Sequence, residues 1–473
     1  MARRGAEAGA CADWFAALDK QIDDSGVRDV GSHRVAGHPY LRADRFSASF
    51  RAVAQEPGPA FDSWVDRLRE LDLKARAAEL RQLAPGAITP LAATVPDALN
   101  KVNACGATLM HEDLASAEGR ARLGRLAVVP DDYAEWVHAS GVYAVASIPF
   151  SMGVKGWYRE AQTMFRETAA GEAHAHDLRR VEPSGPDVSA AQVADVLART
   201  PRDALGVPRF SPQDEALLFR AYAPRYETEA TGPYDRFGAL VWRAGQAAPQ
   251  VDTSRPVVYR RLVFTRMQGR VLTQLAYTVW FPERPRAHAF DLLGGPLDGL
   301  VMRVTLDDDG TPLIWDTIHP CGCYHMFFPT AALQERAAPN ASQEWALIPA
   351  HLPDMSAGDR VAVRTATGSH YLVGVAPAAS APATSETYTL ADEDDLRALP
   401  LPGGGARSIY GPDALVSGTE RGERLLFWPM GIASPGTMRQ WGRHPTAFLD
   451  RRHFDDADLI DKRFARVGPQ ASK

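Results

Sequence analysis

The chain has 473 residues, a formal charge of −6, and 45% hydrophobic against 23% charged residues. At roughly 100–200 residues per domain this length suits two or three domains or one elaborated domain, and it buries a full core without disulfides or metals to hold it. The mild acidity speaks against a general nucleic-acid binder, which carries a basic face, and no run approaches the roughly 20 apolar residues of a membrane-spanning helix.

Met1-Ala-Arg-Arg-Gly-Ala-Glu has a basic pair with no apolar run behind it, so the expectation is a chain without a secretory leader, cytoplasmic by default. Ala-Gly-Ala-Cys11 would suit the end of a lipoprotein leader, and hence the cell envelope, if translation began upstream of Met1. The four cysteines, Cys11, Cys105, Cys321 and Cys323, are too few for a disulfide scaffold. Cys11 and Cys105 either pair in an exported protein or sit buried as small apolar residues.

Taken in chain order, the first half reads as helical. Leu41, Phe46, Phe50 and Val53 recur near helical spacing over Tyr40–Val53, and Phe61, Trp64, Val65, Leu68 and Leu71 mark one face of a longer helix. Further helices are predicted over Pro96–Leu114, Asp131–Ser140, Val154–Thr168 and Ser189–Leu197. Ser189-Ala-Ala-Gln192 is a capping box, and Ser211-Pro212 places a capping serine before proline at the first helical position. Glu172–Asp187 reads as a loop.

From Val257 the pattern turns to strands. Val257–Phe264 and Val271–Phe281 flank Gly269 as one hairpin. Leu300–Leu306 and Leu313–Ile318 flank Asp307-Asp-Asp-Gly310 as a second. Shorter strands are predicted at Arg360–Arg364, His370–Val375, Thr387–Leu390 and Arg424–Trp428, with exposed loops at Ala376–Ser385 and Leu401–Ala406. Helices and strands segregate, so the expected class is α+β. A mainly helical region (1–250) packs on a largely antiparallel sheet or sandwich (251–473).

The densest chemistry is His319-Pro-Cys321-Gly-Cys323-Tyr-His325, directly after a predicted strand. Thiolate and imidazole are the donors that zinc and iron favour. Cys321, Cys323 and His325 fall two apart, which would put them on one strand face. Four donors in seven residues do not close a tetrahedron, so a distant ligand is expected. The candidates are His288, His370, His444, His453, Asp291, Asp298 and Asp316, with His444 and His453 in the C-terminal stretch preferred. Asp298 and Asp316 flank the strands leading to the cluster and could act as general base or orient a histidine. Arg439 and Arg443 could hold an anionic substrate group, since guanidinium matches carboxylate and phosphate; their alternative is salt bridging.

Weaker candidates are His174-Ala-His176-Asp177, which has metal-like spacing in a polar loop, and His111-Glu112-Asp113, which lacks the second histidine of a zinc-protease helix. No serine-hydrolase elbow and no phosphate-binding Gly-rich loop occurs.

Leu275-Ala-Tyr-Thr-Val-Trp-Phe-Pro282, followed by Pro296-Leu-Asp298-Gly-Leu, faintly resembles the necrosis-inducing class of β-sandwich proteins over about a tenth of the chain. The histidine and glutamate of that class are missing around Asp298. The resemblance implies a β-sandwich and carries no active site across.

The functional expectation is a metal-dependent enzyme, zinc or iron, with hydrolysis of a small-molecule substrate by metal-activated water as the default reaction. Two alternatives stand beside it. One is a non-catalytic binding or envelope-associated protein with a structural Cys/His cluster. The other is a thiol-redox role for Cys321 and Cys323. Oligomeric state leaves no signal.

Overall fold

The computed structural model describes residues 5–171, 178–340, 343–378 and 386–467. The pair His174 and His176 falls outside them. The class is α+β, but its β part is dominated by one large mixed sheet that curls until it is nearly barrel-like, with small two-stranded ribbons beside it.

Its ten strands are β1 (Leu178–Pro183), β2 (Arg225–Glu229), β3 (Val257–Met267), β4 (Arg270–Arg284), β5 (Gly295–Leu306), β6 (Pro312–Ile318), β7 (Met326–Pro329), β8 (Val361–Thr365), β9 (Leu372–Pro377) and β10 (Glu386–Asp392). Their order across the sheet is β7-β6-β5-β4-β3-β10-β1-β2-β8-β9. The run from β3 to β7 is an antiparallel meander. The strand β10 then inserts parallel to both β3 and β1, and β2 pairs parallel with β8.

The expected sandwich therefore does not form. Long strands of 11 to 15 residues accumulate twist. The parallel additions extend that one sheet rather than starting a second. Two of its strands, β1 and β2, come from the segment before residue 250.

Four helices frame the sheet: α1 (Ala6–Asp24), α2 (Pro59–Gln82), α3 (Val95–Asp113) and α4 (Val142–Ala170). The first three share a core of Phe15, Leu18, Trp64, Leu68 and Leu109, which meets the sheet at Phe264 and Val271. Cys11 of α1 is disulfide-bonded to Cys105 of α3. Of the two expectations for Cys11 and Cys105, the structure has the pair.

A second core lies against the sheet. Alternate β4 residues Leu275, Tyr277, Val279 and Phe281 pack with Phe165 of α4 and with Leu218 and Phe219. Ser189 and Ser211 cap their helices as expected, Ser189 in a full capping box.

Three predicted elements differ. The segment expected as a loop over Glu172–Asp187 holds β1 (Leu178–Pro183), paired with β2 and β10. Tyr40–Val53 holds a strand, His38–Ala43, then short helical turns, because Arg42 is drawn inward to Asp72 (3.1 Å) and Glu79 (2.7 Å). Arg424–Trp428 is helical rather than extended, with Leu425 and Leu426 facing out. Among the described residues no helix is long and apolar enough to cross a membrane.

Candidate active site

The sheet curls far enough to bring its two edges together. Tyr324, in the turn joining β6 to β7 at one edge, lies 3.0 Å by its hydroxyl from the hydroxyl of Tyr371, in the turn joining β8 to β9 at the other. Trp157 of α4 covers the seam, its ring 4.9 Å from each tyrosine ring. Beneath this seam the sequence-predicted residues come together or part company.

The β6–β7 turn is closed by its own backbone. The amide of Gly322 donates to the His319 carbonyl (2.8 Å) and the amide of His319 to the Cys323 carbonyl (3.0 Å). Gly322 has φ +92°, and a Cβ there would stand 2.4 Å from the Pro445 carbonyl. No other residue fits both the left-handed backbone and the neighbouring chain. Tyr324 also has positive φ (+60°), so the alternation assumed for residues 321, 323 and 325 does not hold. The seven residues are splayed in different directions.

His319 points to Asp298 at the start of β5, with Nδ1 3.3 Å from Oδ1. His370 reaches the other oxygen of the same carboxylate, Nδ1 to Oδ2 at 2.8 Å, and its Nε2 lies 3.1 Å from the Tyr234 carbonyl. Both partners of His370 only accept hydrogen bonds, so both of its nitrogens carry protons and it is an imidazolium. Burial works against that charge, but the bonds to Asp235 and Asp298 outweigh it and raise the His370 pKa. The Phe281 ring stacks on it at 3.9 Å. Burial would raise the Asp298 pKa; the attraction and hydrogen bonds of His319 and His370 instead hold it well below the usual carboxylate range.

Asp298 must also accept from His319, so the His319 proton sits on Nδ1. Its Nε2 is buried and has no hydrogen-bond partner. The centre of the His319 ring lies 5.0 Å from that of Tyr324 and 6.0 Å from that of Tyr371. Arg284, at the end of β4, donates from Nη2 to the Tyr371 hydroxyl at 3.1 Å. Burial lifts both tyrosine pKa values. Glu423 lies close enough to Arg284 and Arg421 to feel their charge, yet desolvation by burial pushes it up to about 7.

The other expected residues do different work. Asp316 is fully buried in a two-point ion pair with Arg303 (2.6 and 3.0 Å) and takes a hydrogen bond from His325 Nε2 (3.1 Å). Burial, against that hydrogen bond, lowers the His325 pKa to about 3. The triad Arg303–Asp316–His325 is internal structure. The amide of Cys323 lies 3.4 Å from the Cys321 sulfur. The bond to Cys321 and burial raise the Cys323 pKa well above its ordinary value.

The C-terminal stretch does reach the turn, by Arg439, by backbone, and by the His444 ring beside the Pro320 backbone. The Arg439 amide donates to the Pro320 carbonyl (2.9 Å), and its guanidinium binds the carbonyls of Cys321 (3.2 Å), Ala433 and Ser434. His444 is buried, and burial with the nearby Arg439 charge lowers its pKa to about 3. His453 instead faces Asp132 (3.3 Å) and Asp131 (3.4 Å). Arg443 donates to Asp132 at 2.6 Å. Arg439 and Arg443 are thus occupied by the protein itself.

Among the described residues, no three His, Cys, Asp or Glu side chains gather in a group able to hold a metal ion. The donor set expected for zinc or iron does not assemble. Of the distant ligands considered, His370 and Asp298 join His319, but as a hydrogen-bonded trio in which the carboxylate is shared between two rings. Arg284, Tyr371, Asp235 and Glu423 escaped the sequence reading, since each stands alone among ordinary strand or loop residues. No protein family, curated protein or solved structure matches this chain.

Proposed function

We propose that the chain is an enzyme working by general acid–base catalysis, with His319 as the base. The observation that carries this reading is the Asp298–His319 pair, which orients one imidazole and leaves its Nε2 lone pair buried and unbonded. A buried acceptor without a partner costs stability, and such costs are retained where a reacting group must fit.

In this reading His319 Nε2 takes a proton from water or a substrate hydroxyl. Asp298 stabilises the imidazolium that results, and His370 keeps Asp298 ionised. Tyr324 and Tyr371, backed by Arg284, supply hydroxyl donors for negative charge developing on the substrate. Glu423, whose pKa lies near 7, is poised to return a proton to the leaving group. Hydrolysis remains the default reaction, with imidazole in place of metal as the activator of water.

Access requires Trp157 to move. The helix that carries it is poorly anchored ahead of that residue: Val145, Ile148 and Met152 face solvent, Pro149 lies inside the helix and removes a backbone donor, and Gly153 and Gly156 have open space around them. Few buried contacts hold this segment, which marks the low-stability end of a fold.

The test compares wild type and His319→Asn on a panel of chromogenic esters, phosphoesters and glycosides. Turnover of one class by wild type, falling by about 10²–10⁴ in the folded variant, is expected. Equal rates in the two proteins, or no turnover of any class, would end this reading.

A further inference from the structure

A cavity of ≈ 400 Å³ lies away from the Asp298–His319 site, between α2 and the outer course of β3. Its volume falls in the range of small-molecule sites. β3 is an interior strand, yet Arg260, Arg261, Leu262, Val263 and Phe264 are all only half-buried, because the cavity opens over them. The opposite wall is one face of α2, with Arg67 and Lys74 two helical turns apart.

Most cations lining this space are already neutralised. Arg209 binds Glu70 (2.6 Å), Arg261 binds Glu393 (2.7 Å) and Asp394 (2.8 Å), Arg303 binds Asp316 (2.6 Å) and Arg397 binds Asp29 (2.7 Å). Arg67 differs. It makes no hydrogen bond or ion pair with any described residue, and its Nε is buried without an acceptor. Its guanidinium carbon stands 5.1 Å from the Phe46 ring centre and 5.2 Å from that of Phe264. Two aromatic faces fix such a plane while leaving its N–H edge free for an oxyanion. Lys74, exposed at the rim, also has no ion pair among the described residues. Gln440, Ser32 and Ser47 add polar groups, and Trp441 an aromatic face.

We propose that this cavity binds a small hydroxyl-rich anion, a sugar acid or sugar phosphate, whose carboxylate or phosphate is taken by Arg67 between Phe46 and Phe264. Lys74 attracts the anion at the mouth, and the polar wall accepts its hydroxyls. This inference is independent of the chemistry assigned to His319.

Calorimetric titration of the full chain with glucuronate, glucose 6-phosphate, glucose and inorganic phosphate tests it. One or both acidic sugars are expected to bind at least about 10-fold more tightly than glucose, and more weakly as salt is raised. Whichever acid binds better identifies the oxyanion. Arg67→Met should weaken that binding by about 10-fold or more, and Lys74→Met by about 2- to 3-fold. If Arg67→Met does not fold, the Lys74→Met result and the salt dependence decide. Failure of both acidic sugars to bind at about 10 mM, binding of glucose as tight as theirs, or of phosphate alone, or indifference to these substitutions and to salt would overturn the proposal.

Discussion

Glu423→Gln isolates one buried carboxyl and gives the structure a quantitative test. Glu423 is 5% exposed, and its amide is fixed to the Leu292 carbonyl at 3.2 Å. Desolvation pushes its pKa from an ordinary 4.5 to about 7, despite the opposing pull of Arg284 and Arg421. The folded protein therefore holds a proton that the unfolded chain releases between these two values. The associated stabilisation is complete below the unfolded pKa and disappears as pH rises through the folded one. At 1.36 kcal/mol per pKa unit, that rise corresponds to about 3 kcal/mol of stability lost between about pH 4 and pH 8. Glutamine keeps the shape and has no proton to lose. Urea denaturation of both proteins across that pH range should show wild type falling by about 3 kcal/mol relative to Glu423→Gln. Parallel curves would mean that Glu423 is solvated or better paired than its surroundings indicate, and would remove it as the proton donor.

Asp316→Asn should cost about 3–5 kcal/mol in guanidinium denaturation, because it leaves Arg303 buried without its counter-charge; unchanged stability would refute the structural role given to the triad. Reduction of Cys11–Cys105, which closes a sequence separation of 94 residues, should cost roughly 4–5 kcal/mol and lower Tm, and an unaltered melting curve on adding a reductant would show that the bond is absent or idle.

Much of the fold could be read from the sequence wherever periodicity and punctuation agreed. The apolar face of 61–71 and the two capping serines located their helices. The turn Asp307-Asp-Asp-Gly310 located the β5–β6 hairpin. What could not be read was the insertion of β10 between β3 and β1, since parallel pairing of distant segments leaves no local pattern. The same applies to the site. Asp298 and His319 were each singled out, but as parts of a metal centre built on strand alternation through residue 325. The positive φ of Tyr324 broke that alternation. Cys321, Cys323, His325, His444 and His453 drew attention as donor types, yet their surroundings satisfy or bury them. Glu423 gave no signal, because its unusual acidity comes entirely from burial.

Meeting of the two sheet edges at Tyr324 and Tyr371 makes the site a late product of folding. Asp298 lies on β5 and His319 directly follows β6, its neighbour in a local meander, so the two can approach each other early. His370 joins them only when β8 and β9, at the far end of the strand order, have come round the curl. Contacts of such long sequence separation form slowly. Until they form, Asp298 has only one of the two imidazoles that share its carboxylate. Completion of the proposed site and completion of the strand order are therefore one event in this chain: a partly folded molecule carries the residues of the site without yet bringing His370 to the shared carboxylate.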